Sequence, residues 1–271
     1  MKRYIIFSVL LALVLVFVPA SWSVQKVGSV AIFTESVSWT DVGTANAAAQ
    51  IIADKLKLTR DVQVLNNTDI ATFATKNTKD GDLDIIITFG YFPPSIYKPV
   101  NAEPDNSIAE KFLEGGDMFI NSADYIFYVS SAVNGDAALK NITDSTFDMW
   151  CDDNAKKNIP TDDGKKYASS IPAASTTATR SFKTDQIEAN KDWEVEGAFS
   201  SNGGTYIDPA VIHNKVYDGR VGIVFQTGDA TPRGEVITEI LNNWLSQKVK
   251  AQPVENDGKL PVTWGKIKNS I

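Results

Sequence analysis

The chain of 271 residues has one cysteine, Cys151, and one histidine, His213. With one of each, a single chain cannot form a disulfide framework, a Cys/His zinc site or a dithiol redox pair. Basic residues are also few, since 26 Lys and Arg stand against 33 Asp and Glu and give a formal net charge of −7. An acidic surface repels phosphate backbones, which argues against nucleic-acid binding. We therefore expect no metal, no cofactor and no nucleic-acid partner.

Long apolar runs are absent except at the start of the chain. Lys2-Arg3 precede an uncharged apolar run, Tyr4 to Val18, which small serines follow. This layout is typical of a secretory signal peptide. The alternative is an uncleaved membrane anchor, but the run falls short of the roughly 20 residues that cross a bilayer. We predict a cleaved leader, residues 1–23, no membrane span after cleavage, and an extracytoplasmic (periplasmic or secreted) protein.

The rest of the chain alternates between short β-branched apolar runs and longer amphipathic segments. Apolar runs predict strands, and helical spacing of apolar residues predicts helices. The predicted strands cover 27–33, 61–65, 83–88, 117–121 and 220–226. Helices are predicted over 45–58 and 69–75, after Ser107 up to Gly115-Gly116, and after Thr231-Pro232. Continuous apolar strands separated by helices indicate a parallel sheet covered on both faces. We predict an α/β fold with a doubly wound, mostly parallel, flavodoxin-like sheet in a single domain.

Two regions depart from this alternation. From about Val129 to Ile207 the pattern weakens into polar segments, and we interpret this region as a polar insertion on the domain, with an interdomain linker as the alternative. Residues 250–271 follow the last predicted helix and are interpreted as a C-terminal tail. The predicted organisation is a leader (1–23), one α/β domain (24–249) and a tail (250–271).

The residues after each predicted strand are the candidates for a functional site, because ligands of open parallel sheets bind outside the carboxyl ends of the strands. The candidate ligand-binding residues are Glu35, Trp39, Tyr91, Ser122, Asp124, Gln226 and Arg233. Aromatic rings beside hydroxyls and acids suit a small polar, carbohydrate-like or carboxylate ligand, although each ring could instead pack against a covering helix. Arg233 would favour an anionic ligand group, unless it pairs with Glu235 or Asp229.

Four stretches of the sequence are distinctive: ITFGYFPPSIY (87–97), FLEGGDMFINSADY (112–125), GRVGIVFQTGD (219–229) and PRGEVITEILNNWL (232–245). In content and order they resemble the class I glutamine amidotransferase-like superfamily, and within it the trehalose-utilisation-like branch and its secreted relatives. The resemblance covers roughly Val27 to Leu245 apart from the polar insertion. It implies the same α/β fold that the apolar pattern predicts.

Active members of that superfamily carry a cysteine in a Gly-x-Cys-x-Gly turn after a strand, and a His-x-Glu pair in a later segment. The resemblance places Ser122 at the position of the cysteine, with no glycine after it, and Gln226 at the position of the histidine. Cys151 lies well downstream of that turn, and its two acidic neighbours argue against a reactive thiolate. The resemblance therefore implies a domain without the catalytic pair and without glutaminase activity, which acts as a ligand-binding or assembly module.

Other functions stay open at this point. One is a hydrolase with a non-standard site around Ser122, which would use His213 or a carboxylate pair such as Glu35 and Asp124. Another is a structural subunit without a pocket, and an oligomer is compatible with each of these functions. Ser122 within hydrogen-bond reach of His213 would favour the hydrolase.

One acidic motif, KDGDLD, contains Asp80, Asp82 and Asp84 and is similar to the start of a calcium-binding loop. However, Asp84 enters a predicted strand, and the terminal Glu of an EF-hand is missing. We interpret the motif as a solvated turn.

Overall fold

The computed structural model describes residues 25–149, 157–174, 176–177 and 179–249. The predicted leader (1–23), Cys151 and the predicted tail (250–271) lie outside the described residues. Within the described part of the chain, no helix combines the length and the apolar character needed to cross a membrane.

Twelve strands are present among the described residues. They are β1 (Lys26–Phe33), β2 (Val62–Val64), β3 (Asp82–Phe89), β4 (Met118–Ser122), β5 (Lys157–Pro160), β6 (Thr176–Thr177), β7 (Phe182–Lys183), β8 (Trp193–Ala198), β9 (Ser200–Asn202), β10 (Tyr206–Ile207), β11 (Ala210–Asn214) and β12 (Arg220–Val224). The α-helices of the described chain are α1 (Val42–Lys55), α2 (Asn67–Asn77), α3 (Ile108–Glu114), α4 (Ala137–Thr143), α5 (Asp162–Tyr167), α6 (Thr184–Glu188) and α7 (Arg233–Glu239). A π-helical segment, Ile240–Trp244, and a 3₁₀ turn, Leu245–Gln247, continue α7.

The main sheet has seven strands in the order β2-β1-β3-β4-β12-β11-β8. The first five pair in parallel, whereas β11 is antiparallel to both of its neighbours. The parallel part has the strand order of flavodoxin-like folds, 2-1-3-4-5. The predicted α/β fold with a mostly parallel sheet in a single domain is therefore confirmed.

Helices cover both faces of the main sheet, as the continuous apolar strands require. Alternate residues of each strand point to opposite faces. One face packs Ile86 and Phe119 against α2, α3 and α4, and the other packs Ile85 and Ile87 against α1 and α7. Trp244, in the π-helical segment, is buried on this second face and meets the Phe199 ring edge to face at 5.4 Å.

Side chains cap the helices that position the candidate site. Asp41 accepts a hydrogen bond from Thr44 N at the start of α1. Ser107 and Glu110 form a capping box at the start of α3, in agreement with the predicted role of Ser107. Asn66, and not the Asp69 that began the predicted helix, caps α2 and accepts from the main-chain N–H groups of residues 68 and 69.

The polar insertion is more ordered than its sequence suggests. Strands β6, β5, β9, β10 and β7 form a second, five-stranded antiparallel sheet within it. Its boundaries differ from the predicted region, because β8 (Trp193–Ala198) lies inside the predicted range yet pairs with β11 in the main sheet. Trp193, the first residue of β8, is buried and donates its indole N–H to the carbonyl of Thr143, the last residue of α4, at 3.0 Å.

Candidate functional site

The loop that follows β1 lies across the carboxyl edge of the sheet. Its main chain passes so close to Gly90, directly after β3, that a Cβ on Gly90 would lie 2.5 Å from the amide nitrogen of Ser38. One residue further on, the Trp39 amide donates to the carbonyl of Ala123 at 3.1 Å. Ligands of doubly wound sheets bind where the strand order reverses, here between β1 and β3. In this chain the main chain of the loop crosses that crevice next to Gly90.

Beneath the loop, amide side chains join the ends of three strands. Asn121 on β4 donates to the Thr88 hydroxyl at 2.7 Å and to the Gly90 carbonyl at 3.0 Å. Gln226, after β12, donates to the carbonyl and the side-chain oxygen of Asn121 at 2.8 and 2.9 Å, and its own Oε1 accepts from Asp124 N. Gln226 is fully buried, so its amide is fully engaged in the fold.

Ser122 is the last residue of β4 and lies within the strand instead of on the turn that follows it. It is fully buried, and its hydroxyl donates to the carbonyl of Val224 at 2.6 Å. The turn residue is Ala123, whose φ of 64° is in the left-handed region. The position where a nucleophile would be exposed therefore carries a methyl group, and Ser122 holds β4 to β12.

Asp208 fixes the main chain after β12. Its two carboxylate oxygens accept from the amides of Phe225 and Gln226, each at 2.7 Å. Burial raises the pKa of Asp208 to about 7, although these two N–H groups and the charge of Arg233 oppose the rise. Phe225 has a φ of 57°, so this carboxyl stabilises a turn that the main chain does not favour by itself.

Arg233 does not present a free charge to a ligand. Its side chain is 4% exposed, and Nη2 donates to the carbonyls of Thr227 and Asp229 at 2.7 and 3.0 Å. Burial lowers the pKa of Arg233, while the charges of Asp208 and Asp229 raise it. The expectation that Arg233 attracts an anionic ligand has no support from this geometry, because the guanidinium holds the loop before α7.

Asp124 has unused capacity for hydrogen bonding, as does Nε of Arg233. It is 4% exposed, and its Oδ1 accepts from Tyr125 N. Its Oδ2 is buried and makes no close hydrogen bond within the described part of the chain. Burial raises the pKa of Asp124, whereas the nearby Ser38 hydroxyl and the charge of Arg180 lower it.

Two aromatic rings lie near the guanidinium group of Arg180, whose charge acts on Asp124. The guanidinium carbon of Arg180 lies 6.0 Å from the ring centre of Trp39 and 6.0 Å from that of Tyr125. Trp39 is half-buried, and its role at the site stays a prediction. Ser38, Trp39, Asp124, Tyr125 and Arg180 are called the crest cluster below.

Two predicted residues do not join the crest cluster. Glu35 is exposed, and its Oε2 accepts from Asn67 N at 2.8 Å, which places the carboxylate at the N-terminus of α2. Tyr91 is half-buried next to Gly90, on the β3 side of the crossing loop. The pairing of Glu35 with Asp124 in acid-base chemistry therefore has no support.

His213 lies at the other end of the sheet from Ser122. It pairs in register with Arg220, which pairs with Met118, so it is four residues along the strands from Ser122, or roughly 13 Å. Both ring nitrogens contact carboxylates, Nδ1 with Glu194 at 3.0 Å and Nε2 with Asp218 at 2.6 Å. Burial lowers the pKa of His213, but these two carboxylates outweigh it and raise the pKa overall. A Ser122–His213 hydrolase site is therefore not formed.

Two shallow depressions of the described surface lie away from the crest cluster. One of about 400 Å³ is on α2 around Thr72 and Lys76, and another of about 400 Å³ lies between β5, α5 and the following loop, with Ile159, Lys165 and Ile171 in its wall. The second is called the insertion groove. Three acids, Glu110, Glu114 and Asp144, have carboxylate oxygens within 4.8 Å of one another. Glu110 belongs to the capping box of α3, and proximity of acids alone does not define a metal site.

Sequence reasoning missed four residues that shape this edge: Ser38, Asn121, Arg180 and Asp208. Asn121 carried a detectable signal, because it is a lone amide in an otherwise apolar strand. Arg180 lies in the polar insertion and Asp208 directly follows it, and many similar residues nearby are solvated, so no sequence pattern separates these two from their neighbours.

Comparisons with known proteins give limited information. No protein-family description matches the chain, and no curated protein matches it. Among solved structures, the chain is similar to a crystal structure described as a ThuA-like protein from Bacteroides uniformis ATCC 8492, with 14% sequence identity and a TM-score of 0.43. The likeness covers 82% of this chain and 93% of the other. A likeness of this size does not establish a shared function.

Proposed function

We propose that this chain is a glutamine amidotransferase-like domain that lacks the catalytic Cys/His pair and binds a small polyhydroxy ligand at its carboxyl edge. The four sequence stretches and the flavodoxin-like strand order support the class. The buried hydrogen bonds of Ser122 and Gln226 support the loss of catalysis. Neither side chain can reach a substrate unless it gives up the hydrogen bonds that join the ends of the strands. The proposal also includes an extracytoplasmic location, which rests on the predicted leader.

The observation that carries the binding proposal is Oδ2 of Asp124, which is buried and makes no close hydrogen bond within the described part of the chain, although the Ser38 hydroxyl is near the carboxyl group. Leaving such an oxygen unpaired costs roughly 1–3 kcal/mol, and a ligand hydroxyl supplies the missing donor. The charge of Arg180 nearby disfavours a cationic ligand. The half-buried ring of Trp39 suits the apolar face of a sugar. The ligand class is therefore a neutral sugar, a sugar acid or a hydroxy acid.

The test is a thermal-shift screen of these compounds, followed by calorimetry of each hit with the wild type, Asp124→Asn and Trp39→Ala. We expect Asp124→Asn to weaken binding at least about tenfold, since it places an amide donor or a weaker acceptor opposite the ligand hydroxyl. Asp105→Asn, in an exposed loop, is the matched control and should bind like the wild type. An unchanged Kd in both site variants would place the ligand elsewhere, with the insertion groove as the next region to mutate.

The absence of glutaminase chemistry has its own assay, the release of ammonia from glutamine. We expect no release from the wild type and no difference for Cys151→Ala. Turnover that Cys151→Ala abolishes would contradict the proposal. For the location, N-terminal sequencing of exported protein should begin close to Val24, and intact Met1 in a washed membrane fraction would contradict a cleaved leader.

A further inference from the structure

Two buried aspartates lie side by side at the amino edge of the sheet, opposite the crest cluster. Asp84 is in β3 and Asp117 directly precedes the neighbouring strand β4. They are 1% and 0% exposed, respectively. Strand alternation puts them on the face of Ile86 and Phe119, which α2 and α3 cover. The interpretation of Asp84 as part of a solvated turn was therefore wrong.

Each of the two carboxyl groups has one oxygen engaged and one without a partner. Asp117 Oδ1 accepts from the amide of Asp84 at 2.9 Å. Asp84 Oδ1 accepts from the amide of Ser29 at 2.6 Å and from the side chain of Asn77 at 3.2 Å. Neither Oδ2 has a hydrogen-bond partner among the described residues. The pair thereby connects the starts of β1, β3 and β4 to the end of α2.

The site is tightly enclosed on the side of β1. A Cβ on Gly28 would lie 2.6 Å from Oδ1 and 2.8 Å from Oδ2 of Asp84, so no other residue fits there without displacing the carboxyl. A carboxyl group in such an enclosed position has no contact with water and no counter-charge. Its ionisation is therefore costly.

The charged groups that face the pair do not neutralise it. The acids whose charges act on the pair are Asp61 before β2, Asp80 in the turn before β3, and Asp82, the first residue of β3. Lys26 on β1 contacts Asp82 at 3.7 Å, and Arg220 on β12 directs its guanidinium to Glu196 and Asp218. Lys79, in the turn after α2, is exposed. The C-terminal ends of α2 and α3 add negative potential at this edge.

We propose that Asp84 and Asp117 form a proton-operated latch, in which protonated carboxyls hold the amino edge together and loss of their protons as the pH rises loosens that edge. A proton on each bare oxygen removes the buried charge and the repulsion between the two side chains. When the protons leave, the starts of β1, β3 and β4 and the end of α2 share a cluster of like charges. The carboxyl edge, whose buried acid Asp208 has two main-chain donors, keeps its structure.

The direction of the pH effect follows from the shifts in pKa. Burial raises the pKa of Asp117 to about 8 and that of Asp84 to about 6, from an ordinary value of 3.8. The folded chain then holds protons that the unfolded chain has released, so stability falls as pH rises from about 4 to about 8. This is the reverse of the behaviour of a carboxylate that is ion-paired in the folded state.

The experiment compares the wild type, Asp84→Asn/Asp117→Asn and the control Asp105→Asn by urea unfolding at pH 5.5 and pH 8.5. The amides mimic protonated carboxyls in shape and charge. We expect the unfolding constant of the wild type and of Asp105→Asn to rise from pH 5.5 to pH 8.5, and the rise in the double variant to be smaller by a factor of about ten or more. If the double variant does not fold, Asp117→Asn alone carries the same comparison.

Hydrogen exchange locates the effect. At pH 8.5, after correction for intrinsic rates, amides of residues 82–84 and 117–118 should lose protection in the wild type relative to residues 222–226, and should keep it in the double variant. An unchanged pH dependence in the double variant would overturn the latch, and so would a loss of protection that is uniform over the sheet. Stability regained at pH 8.5 on adding Ca²⁺ or Na⁺ would also overturn it, in favour of a cation site.

Discussion

The two edges of the main sheet bury carboxyl groups in different surroundings. At the carboxyl edge, Asp208 receives two main-chain N–H donors at 2.7 Å and lies near the charge of Arg233. At the amino edge, Asp117 receives one such donor at 2.9 Å and faces other acids. Burial raises the pKa of both. Two main-chain donors and the charge of Arg233 oppose the rise for Asp208, whereas a single main-chain donor opposes it for Asp117 and neighbouring acids add to it. We therefore expect the fold to tolerate a charge on Asp208 better than a charge on Asp117.

We expect the largest effects on stability from replacing one buried aspartate at each edge of the sheet. Asp208→Asn should lower the free energy of unfolding at pH 8.5 by about 3 kcal/mol, because the amide nitrogen would face a main-chain N–H and Arg233 would lose its counter-charge. Asp117→Asn should raise the free energy of unfolding at the same pH, because it replaces an uncompensated charge. Urea denaturation measures both values. If the free energy of unfolding changes in the same direction in both variants, the proposed difference between the two edges is wrong.

A smaller effect concerns the space at each edge. Gly90→Ala should cost roughly 1–3 kcal/mol beyond its backbone strain, since its Cβ would lie 2.5 Å from the Ser38 amide nitrogen. Gly81→Ala, in the turn before β3, is the matched control, because Gly81 also has positive φ but nothing lies within 4 Å of its Cβ position. Thermal unfolding of both variants gives the difference. Equal losses would show that the loop after β1 does not press on Gly90.

The smallest expected effect is that of Ser122→Ala. This change removes the buried hydrogen bond to the Val224 carbonyl and should cost about 1 kcal/mol. It should leave the Kd of a crest ligand within about twofold, because the hydroxyl points into the sheet. Loss of a hydrolytic activity in this variant would instead restore the hydrolase hypothesis.

Most of the fold could be predicted from the sequence, because the central strands are apolar along their whole length. Such strands have to be buried on both faces, and helical segments between them supply the cover. The antiparallel strands β8 and β11 were harder to predict, since β8 (WEVEGA) places acids between apolar residues and lies in a polar region. Pairing with β11, and not local sequence, makes that segment a strand of the main sheet.

The candidate site could be predicted only in part. Strand ends indicate the region, and Trp39 and Asp124 lie near each other there. However, Gln226 is engaged by Asn121, 105 residues away in the sequence, and Arg233 by carbonyls of the loop just before α7, and neither contact has a sequence signal. Asp84 shows a signal that was available: it stands two residues before Ile86 in a strand that is buried on both faces. Residues two apart in a strand point to the same face, so Asp84 shares the buried face of Ile86. The acidic neighbours Asp80 and Asp82 made the segment resemble a solvated turn instead.

The most direct test of the account is a map of amide chemical shifts on adding the tightest compound from the screen to the full chain. The account predicts that the changes concentrate on the crest cluster, at residues 38–39, 124–125 and 180, and that the amino edge around residues 28, 84 and 117 stays unchanged. Changes centred on the insertion groove, residues 159–173, or on the amino edge would contradict the proposal that this domain binds its ligand at the carboxyl edge.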